Sequence, residues 1–165
     1  MKKFELTSET KINIFGKKLF RIKALVSFGV VKTGETGGWV EKEENVNQSG
    51  DAWVFGNAEV FGNARVSGDA WVFGNARVSG DAWVFGNAEV FGNADYTTIH
   101  GFGTQFRTTT FFRCKDKQVK VSCGCFYGTI PEFREQVKNT RDGKIAEEYL
   151  MIADLMEKHF AEEAK

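Results

Sequence analysis

The sequence predicts a mainly β protein built on a three-sided parallel β-helix. Three observations carry that expectation: a six-residue period, a fixed inward pair within each period, and a glycine at each bend. From Val54 the chain reads VFGNAE, VFGNAR, VSGDAW, VFGNAR, VSGDAW, VFGNAE, VFGNAD, seven hexads in succession. Valine recurs at Val54, Val60, Val66, Val72, Val78, Val84 and Val90, and alanine at Ala58, Ala64, Ala70, Ala76, Ala82, Ala88 and Ala94. An alanine stands two residues before the next valine, so in an extended segment both point to one face. Glycine followed by Asn or Asp supplies the bend, because both tolerate left-handed backbone. A bend every six residues closes most simply on three sides, which pairs each strand in parallel with the one three hexads on.

The flanks follow from the same frame. Upstream, Trp39-Val40 and Val46 keep the six-residue interval, and the spacing then slips by two before Val54, which predicts a bulge over residues 47–49. Lys11 to Phe15 and Leu19 to Leu25 flank Gly16-Lys17-Lys18 and read as a hairpin, a cap over residues 1–38 for strand edges otherwise left open. The repeat unit spans residues 39–100, ending where His100 takes an inward alanine slot. In the third unit, 101–165, Thr108 to Cys114 and Gln118 to Phe126 flank a turn at Lys115-Asp116-Lys117, with Val119, Val121, Cys123 and Cys125 on one face. Thr129 is placed to cap a helix, with Pro131 in its first turn and Glu132 closing a capping box, and that helix runs to about Lys138. A second helix starts at Asp142-Gly143, with Ile145, Tyr149, Ile152, Met156 and Phe160 as its apolar stripe.

Composition narrows the function classes. The chain has 165 residues with 22 basic and 22 acidic side chains. No global field therefore draws it to nucleic acid or an anionic membrane. No run of eighteen apolar residues occurs and the start does not read as a secretory signal, so the expected compartment is the cytoplasm. Cys114, Cys123 and Cys125 lack the fourth ligand and the paired spacing of a structural zinc site, and read as buried reduced thiols. No metal and no cofactor is expected.

The residues flanking each valine face outward. One side stacks Trp53, Trp71 and Glu89 beside Phe55, Phe73 and Phe91, and leaves about 400–600 Å² of aromatic surface, the upper limit for a soluble monomer. Trp53, Phe55, Trp71, Phe73 and Phe91 are therefore the candidate interface, with a cover formed by the chain's own ends as the alternative. The second side, with Glu59, Arg77 and Asp95 in a column and Phe61 above Ser79, reads as solvated. The third sets Arg65 above Trp83 and Ser67 above Phe85. Further on, Arg107, Arg113, Lys115, Lys117 and Lys120 stand against Asp116 alone, a local net charge of +4, with Phe106, Phe111 and Phe112 among them. Cations beside ring faces suit an anionic or nucleotide-like ligand. The plainer reading is a solvated hairpin whose lysines discourage edge pairing.

With valine at the aliphatic position and alanine at the small one, residues 39–100 resemble the hexapeptide-repeat, left-handed β-helix superfamily. The resemblance implies the left hand and a homotrimer packed side against side. It also implies the superfamily's acyltransferase chemistry, which uses acyl-CoA or acyl carrier protein and a histidine between subunits. His100 and His159 are the only histidines, so His100 is the candidate base, although its inward slot favours a capping role. The zinc carbonic anhydrases of the superfamily need three histidines, and the hexads hold none. The order GGWVEKEENV, SGDAWVFGNA and GCFYGTIPEFRE is also similar to proteins of phages and prophages of gut bacteria, which implies a host-cytoplasmic role in blocking or sequestering a host component, a defence protein or a nucleotide signal. The expected fold class is thus a left-handed parallel β-helix with an N-terminal β-hairpin cap and a C-terminal α+β cap. The expected function is non-catalytic binding by a trimer, with an acyltransferase or a structural phage component as alternatives.

Overall fold

The computed structural model describes residues 1–162. A hairpin of β1 (Phe4–Ile12) and β2 (Lys18–Ala24) comes first, followed by β3 (Thr36–Val40). Seven two-residue strands then occupy the repeat: β4 (Trp53–Val54), β5 (Glu59–Val60), β6 (Arg65–Val66), β7 (Trp71–Val72), β8 (Arg77–Val78), β9 (Trp83–Val84) and β10 (Glu89–Val90). The chain continues through β11 (Tyr96–Phe102), β12 (Arg107–Arg113), β13 (Val119–Cys123) and β14 (Phe126–Thr129), and ends in α1 (Ile130–Thr140) and α2 (Gly143–Phe160).

These strands form four separate sheets, and the expected left-handed parallel β-helix is corrected accordingly. One is a mixed five-stranded sheet in the order β1-β2-β3-β5-β8, two are small parallel sheets (β10-β7-β4 and β6-β9), and one is a four-stranded antiparallel sheet, β11-β12-β13-β14. Among the described residues no closed or solenoid sheet unites them. The reason lies in strand length. A two-residue strand makes only a narrow ladder, whereas β1 has nine residues and β2, β11 and β12 seven each, so the antiparallel segments dominate the pairing. The amino-terminal hairpin is accordingly no separate cap: β2 pairs antiparallel with β3, and β3 pairs in parallel with β5.

Within the repeat, local expectations from the period are met. Val54 lies opposite Val72, Val60 opposite Val78, and Val66 opposite Val84, each three hexads apart. Upstream, Val40 faces Val60 and Val46 faces Val66, a separation two residues longer. The extra residues are absorbed just after Val46, where Ser49 donates through both N and Oγ to Asn47 Oδ1 at 2.9 Å. The hexad valines and the first six alanines are at most 1% exposed. At Gly68 the backbone is left-handed (φ +66°), and a β-carbon there would lie 2.9 Å from the Gly86 nitrogen. A side chain at this bend is thus both strained and blocked.

The seventh hexad departs from the frame. Residues Asn93–Asp95 form a 3-10 turn and Ala94 is exposed rather than inward. Asp95 Oδ2 draws the chain round by accepting from the N–H groups of Phe91 and Gly92 at 2.9 and 3.1 Å. Side chains then terminate the ladders at both ends. Buried Asn45 donates from Nδ2 to the carbonyls of Gly62 and Ala64 at 3.2 and 2.8 Å, and Lys3 Nζ donates to those of Gly50 and Ala52 at 3.1 and 2.8 Å. At the other end Arg77 N–H donates to Asn93 Oδ1 (2.7 Å) and Trp83 N–H to Thr110 Oγ1 (3.1 Å). These side chains satisfy backbone groups at the edges, and at the last ladder an antiparallel bridge between Ala88 and Cys114 adds to them.

Two cores result. The first is the valine and alanine interior together with Phe4, Ile22, Trp53 and Phe112; the second joins Phe111, Val121, Ile130, Phe133, Tyr149, Ile152, Met156 and Phe160. Phe111 and Phe112 are neighbours on β12 and point to opposite faces, as a strand requires, so this one strand belongs to both cores. The capping box of α1 forms: Thr129 Oγ1 accepts from Glu132 N–H, and Glu132 Oε2 accepts from Thr129 N–H at 2.7 Å. The expected strand from Gln118 to Phe126 is instead two strands with a turn between them, which places Cys125 in solvent.

Candidate functional site

The aromatic side is graded from closed to open. Trp53 is 1% exposed, because Phe4 and Phe28 meet its ring edge-on at 5.9 and 5.3 Å. It is the one member of the expected interface withdrawn from any partner: the chain's own amino-terminal segment covers it. Trp71 is half-buried under Lys115, whose ammonium stands 3.6 Å from the ring centroid and donates to the Asp69 carbonyl at 2.9 Å. Phe55 is edge-on to Trp71 and Phe73, and Phe73 meets Phe91 with centroids 3.7 Å apart. Phe91 ends the row 54% exposed. Beside it, Glu89 has no cation within ion-pair distance among the described residues.

Of the other two sides, the second departs from its expected character and the third is mixed, with Trp83 open and Phe85 packed on Phe112 and Tyr127. The expected solvated side is covered by the hairpin: Glu59 is 5% exposed and its carboxylate is held by Lys11 (2.8 Å), Arg77 (3.4 Å) and Asn13 Nδ2 (3.2 Å). Burying that charge is tolerable because three donors surround it. Trp83 on the third side is 44% exposed, its indole N–H donating to Ser67 Oγ at 3.3 Å. With Arg65, Glu43, Glu44 and Gln48 it lines an open cleft of about 360 Å³. Arg65 has no carboxylate partner among the described residues. Arg65 above Trp83 was visible in the hexad frame; its openness was not, since that depends on which side the hairpin covers.

The basic stretch does not converge. Phe111 and Phe112 are fully buried and offer no ring face to a ligand. Arg113 pairs with Asp95 at 3.2 Å and donates to the Phe160 carbonyl at 2.9 Å, a structural tie between β12 and α2. Lys115 caps Trp71, Lys117 sits in an exposed turn (φ +65°), and Lys120 stands 5.9 Å from the Tyr127 ring. Arg107 and Arg113 share a face of β12 but stand at its two ends, Lys115 and Lys117 lie beyond the strand, and Lys120 is on β13. Arg107 alone faces a cleft, in company the sequence reading did not give it: Arg141 and Tyr149.

His100 is not in an inward slot. It lies exposed on β11, opposite Thr108, whose Oγ1 is 2.9 Å from its Nδ1. The thiols also differ from expectation: Cys114 is buried, Cys123 half-buried and Cys125 exposed, all unpaired. Burial pushes the Cys114 thiol up to about 12, with Asp116 adding to the rise, so it is not a nucleophile near neutral pH. Among the described residues no three His, Cys, Asp or Glu side chains are grouped to hold a metal ion, and no helix is long and apolar enough to cross a membrane.

No protein-family model and no curated protein sequence matches this chain.

Proposed function

We propose that this chain is a non-catalytic binding and assembly protein that forms a ring of three copies, the Phe91 end of one copy's aromatic side against the Trp83 side of the next. The observation that supports this reading is a matched pair of unmatched groups. Glu89 and the open Phe91 ring share one side, and Arg65 and the open Trp83 ring share another, each charge lacking an intramolecular partner among the described residues. Two different patches in contact make a heterologous interface, which closes into a ring when the rotation permits. Three is the number the sequence resemblance implies. Trp and Arg are the side chains that most often dominate such contacts.

Light scattering on the purified protein tests it. The wild-type chain should have three times the 18.5 kDa chain mass, and Phe91→Glu should have the chain mass alone. Because Phe91 is half in solvent, that substitution leaves the fold intact. A wild-type monomer, or an unchanged assembly in the variant, would overturn the proposal.

A further inference from the structure

We propose that the cleft between the start of β12, the β13–β14 turn and the facing ends of α1 and α2 binds a small oxyanion of the phosphate class, gripped by the guanidinium groups of Arg107 and Arg141. This site lies apart from both surfaces of the proposed assembly and does not depend on it.

The case begins with which arginines are used. Arg21, Arg77, Arg113 and Arg134 each meet a carboxylate within 4 Å, while Arg65, Arg107 and Arg141 meet none among the described residues. Two of those three line this one cleft, and no acidic side chain lines it with them. Arg107 donates to Gln105 Oε1 and Arg141 donates from Nη1 to the Thr140 carbonyl at 3.1 Å. A guanidinium has five N–H donors, so most remain for a ligand. The Arg141 bond also covers a carbonyl at the end of α1 that would otherwise repel an anion.

The backbone makes room for this arrangement. Gly124 is left-handed at φ +59°, and a β-carbon on it would meet Nη1 of Arg107; a β-carbon on Gly103 would meet the Tyr149 hydroxyl. Burial pushes the Tyr149 hydroxyl above its ordinary value, while Arg141 and Arg107 pull against it, which places that hydroxyl in the field of both cations. Tyr149 adds a hydroxyl to the lining, while Thr140 spends its own proton on the Gln136 carbonyl at 2.6 Å, and Phe126 and Phe133 give the cleft an apolar wall. Forked guanidiniums match phosphate oxygens two at a time.

Size decides how much of a ligand enters. Drug-sized ligands occupy pockets of about 300–1,000 Å³, and this cleft holds about 180 Å³. It therefore accommodates one phosphate group, with anything attached to that group left outside.

Calorimetric titration of the full-length protein with inorganic phosphate, pyrophosphate, AMP and adenosine tests the site. Phosphate-bearing probes should bind and adenosine should not; tighter binding of AMP than of phosphate assigns the source to a nucleotide, and equal binding assigns it to the free oxyanion. Arg107→Gln and Arg141→Gln should each weaken binding about ten-fold, while Lys117→Gln, in an exposed turn elsewhere, should not. Amide shifts on adding pyrophosphate to the wild type should centre on Gly124, Thr140 and Arg141, a readout that needs no variant to fold. No binding by any phosphate probe, adenosine binding as tightly as AMP, equal weakening by Lys117→Gln, or shifts centred elsewhere would each overturn the proposal.

Discussion

Trp53 and Phe91 project from the same side of the repeat, at its first and last ladder positions, yet Trp53 is 1% exposed and Phe91 54%. At the first position Phe4 and Phe28 close over the indole, with Lys3 above Phe28 at 4.6 Å. At the last, the chain turns away through Asn93–Asp95 and leaves the phenyl ring open. The period fixes the direction in which a side chain points. Whether the site becomes core or surface is set by distant segments that the period does not encode. An outward aromatic is thus a core residue at one end of this molecule and a contact residue at the other.

The largest effect expected from that difference is on stability. Trp53→Ala should cost about 3–5 kcal/mol, the range for deleting a fully buried large side chain, measured as a fall in free energy of unfolding by urea. In an Arg65→Glu background, where no assembly adds to the measured stability, Phe91→Ala should change it by no more than about 0.5 kcal/mol. Similar costs at both positions would erase the contrast.

A smaller effect distinguishes the two covers by their titrating groups. Burial lowers Lys3, beside the first ladder, from 10.5 to about 8, with Asp51 working the other way, and raises Cys114, beside the last, from 9.0 to about 12. Between pH 8 and 10.5 the unfolded chain holds a proton on Lys3 that the folded chain has released, so stability rises with pH there. For Cys114 the unfolded chain loses its proton first, so that contribution is complete below pH 9 and is lost as pH rises toward 12. Stability should therefore climb from pH 8 to 9 and stop climbing above 9. Cys114→Ala should extend the climb, and Lys3→Met should abolish it. Urea midpoints across this range measure both, and an unchanged profile in Lys3→Met would remove the amino-terminal cover from the explanation.

Much of the local structure was legible in the residues. Valine and alanine two apart gave the interior and the pairing across three hexads, the two-residue slip gave the irregularity after Val46, and Thr129-x-x-Glu132 gave the start of α1. The fold class was not legible, because the repeat strands are short and the antiparallel strands at both ends are longer, those of the amino-terminal end joining them in one sheet. β11 was hidden because the hexad frame runs on to His100 until Asp95 turns the chain. The candidate interface was half legible: Phe55, Trp71, Phe73 and Phe91 form a partly exposed row, but Trp53 is covered by Phe4 and Phe28, from segments that precede the repeat. The basic stretch misled because its five cations are spread over the two ends of β12, the segment after it and β13, and the residue that joins Arg107 at a cleft is Arg141, on the connection between the two helices.

The subtlest effect is also the most direct test of the assembly, since it addresses both surfaces at once. Arg65→Glu and Glu89→Arg should each reduce the light-scattering mass to that of a single chain, by setting like charges against each other across the contact. The double variant restores opposite charges and should recover the assembly. Recovery in the double variant after loss in both singles is the expected result; a double variant that stays monomeric, or singles that assemble like the wild type, would contradict the placement of Glu89 against Arg65.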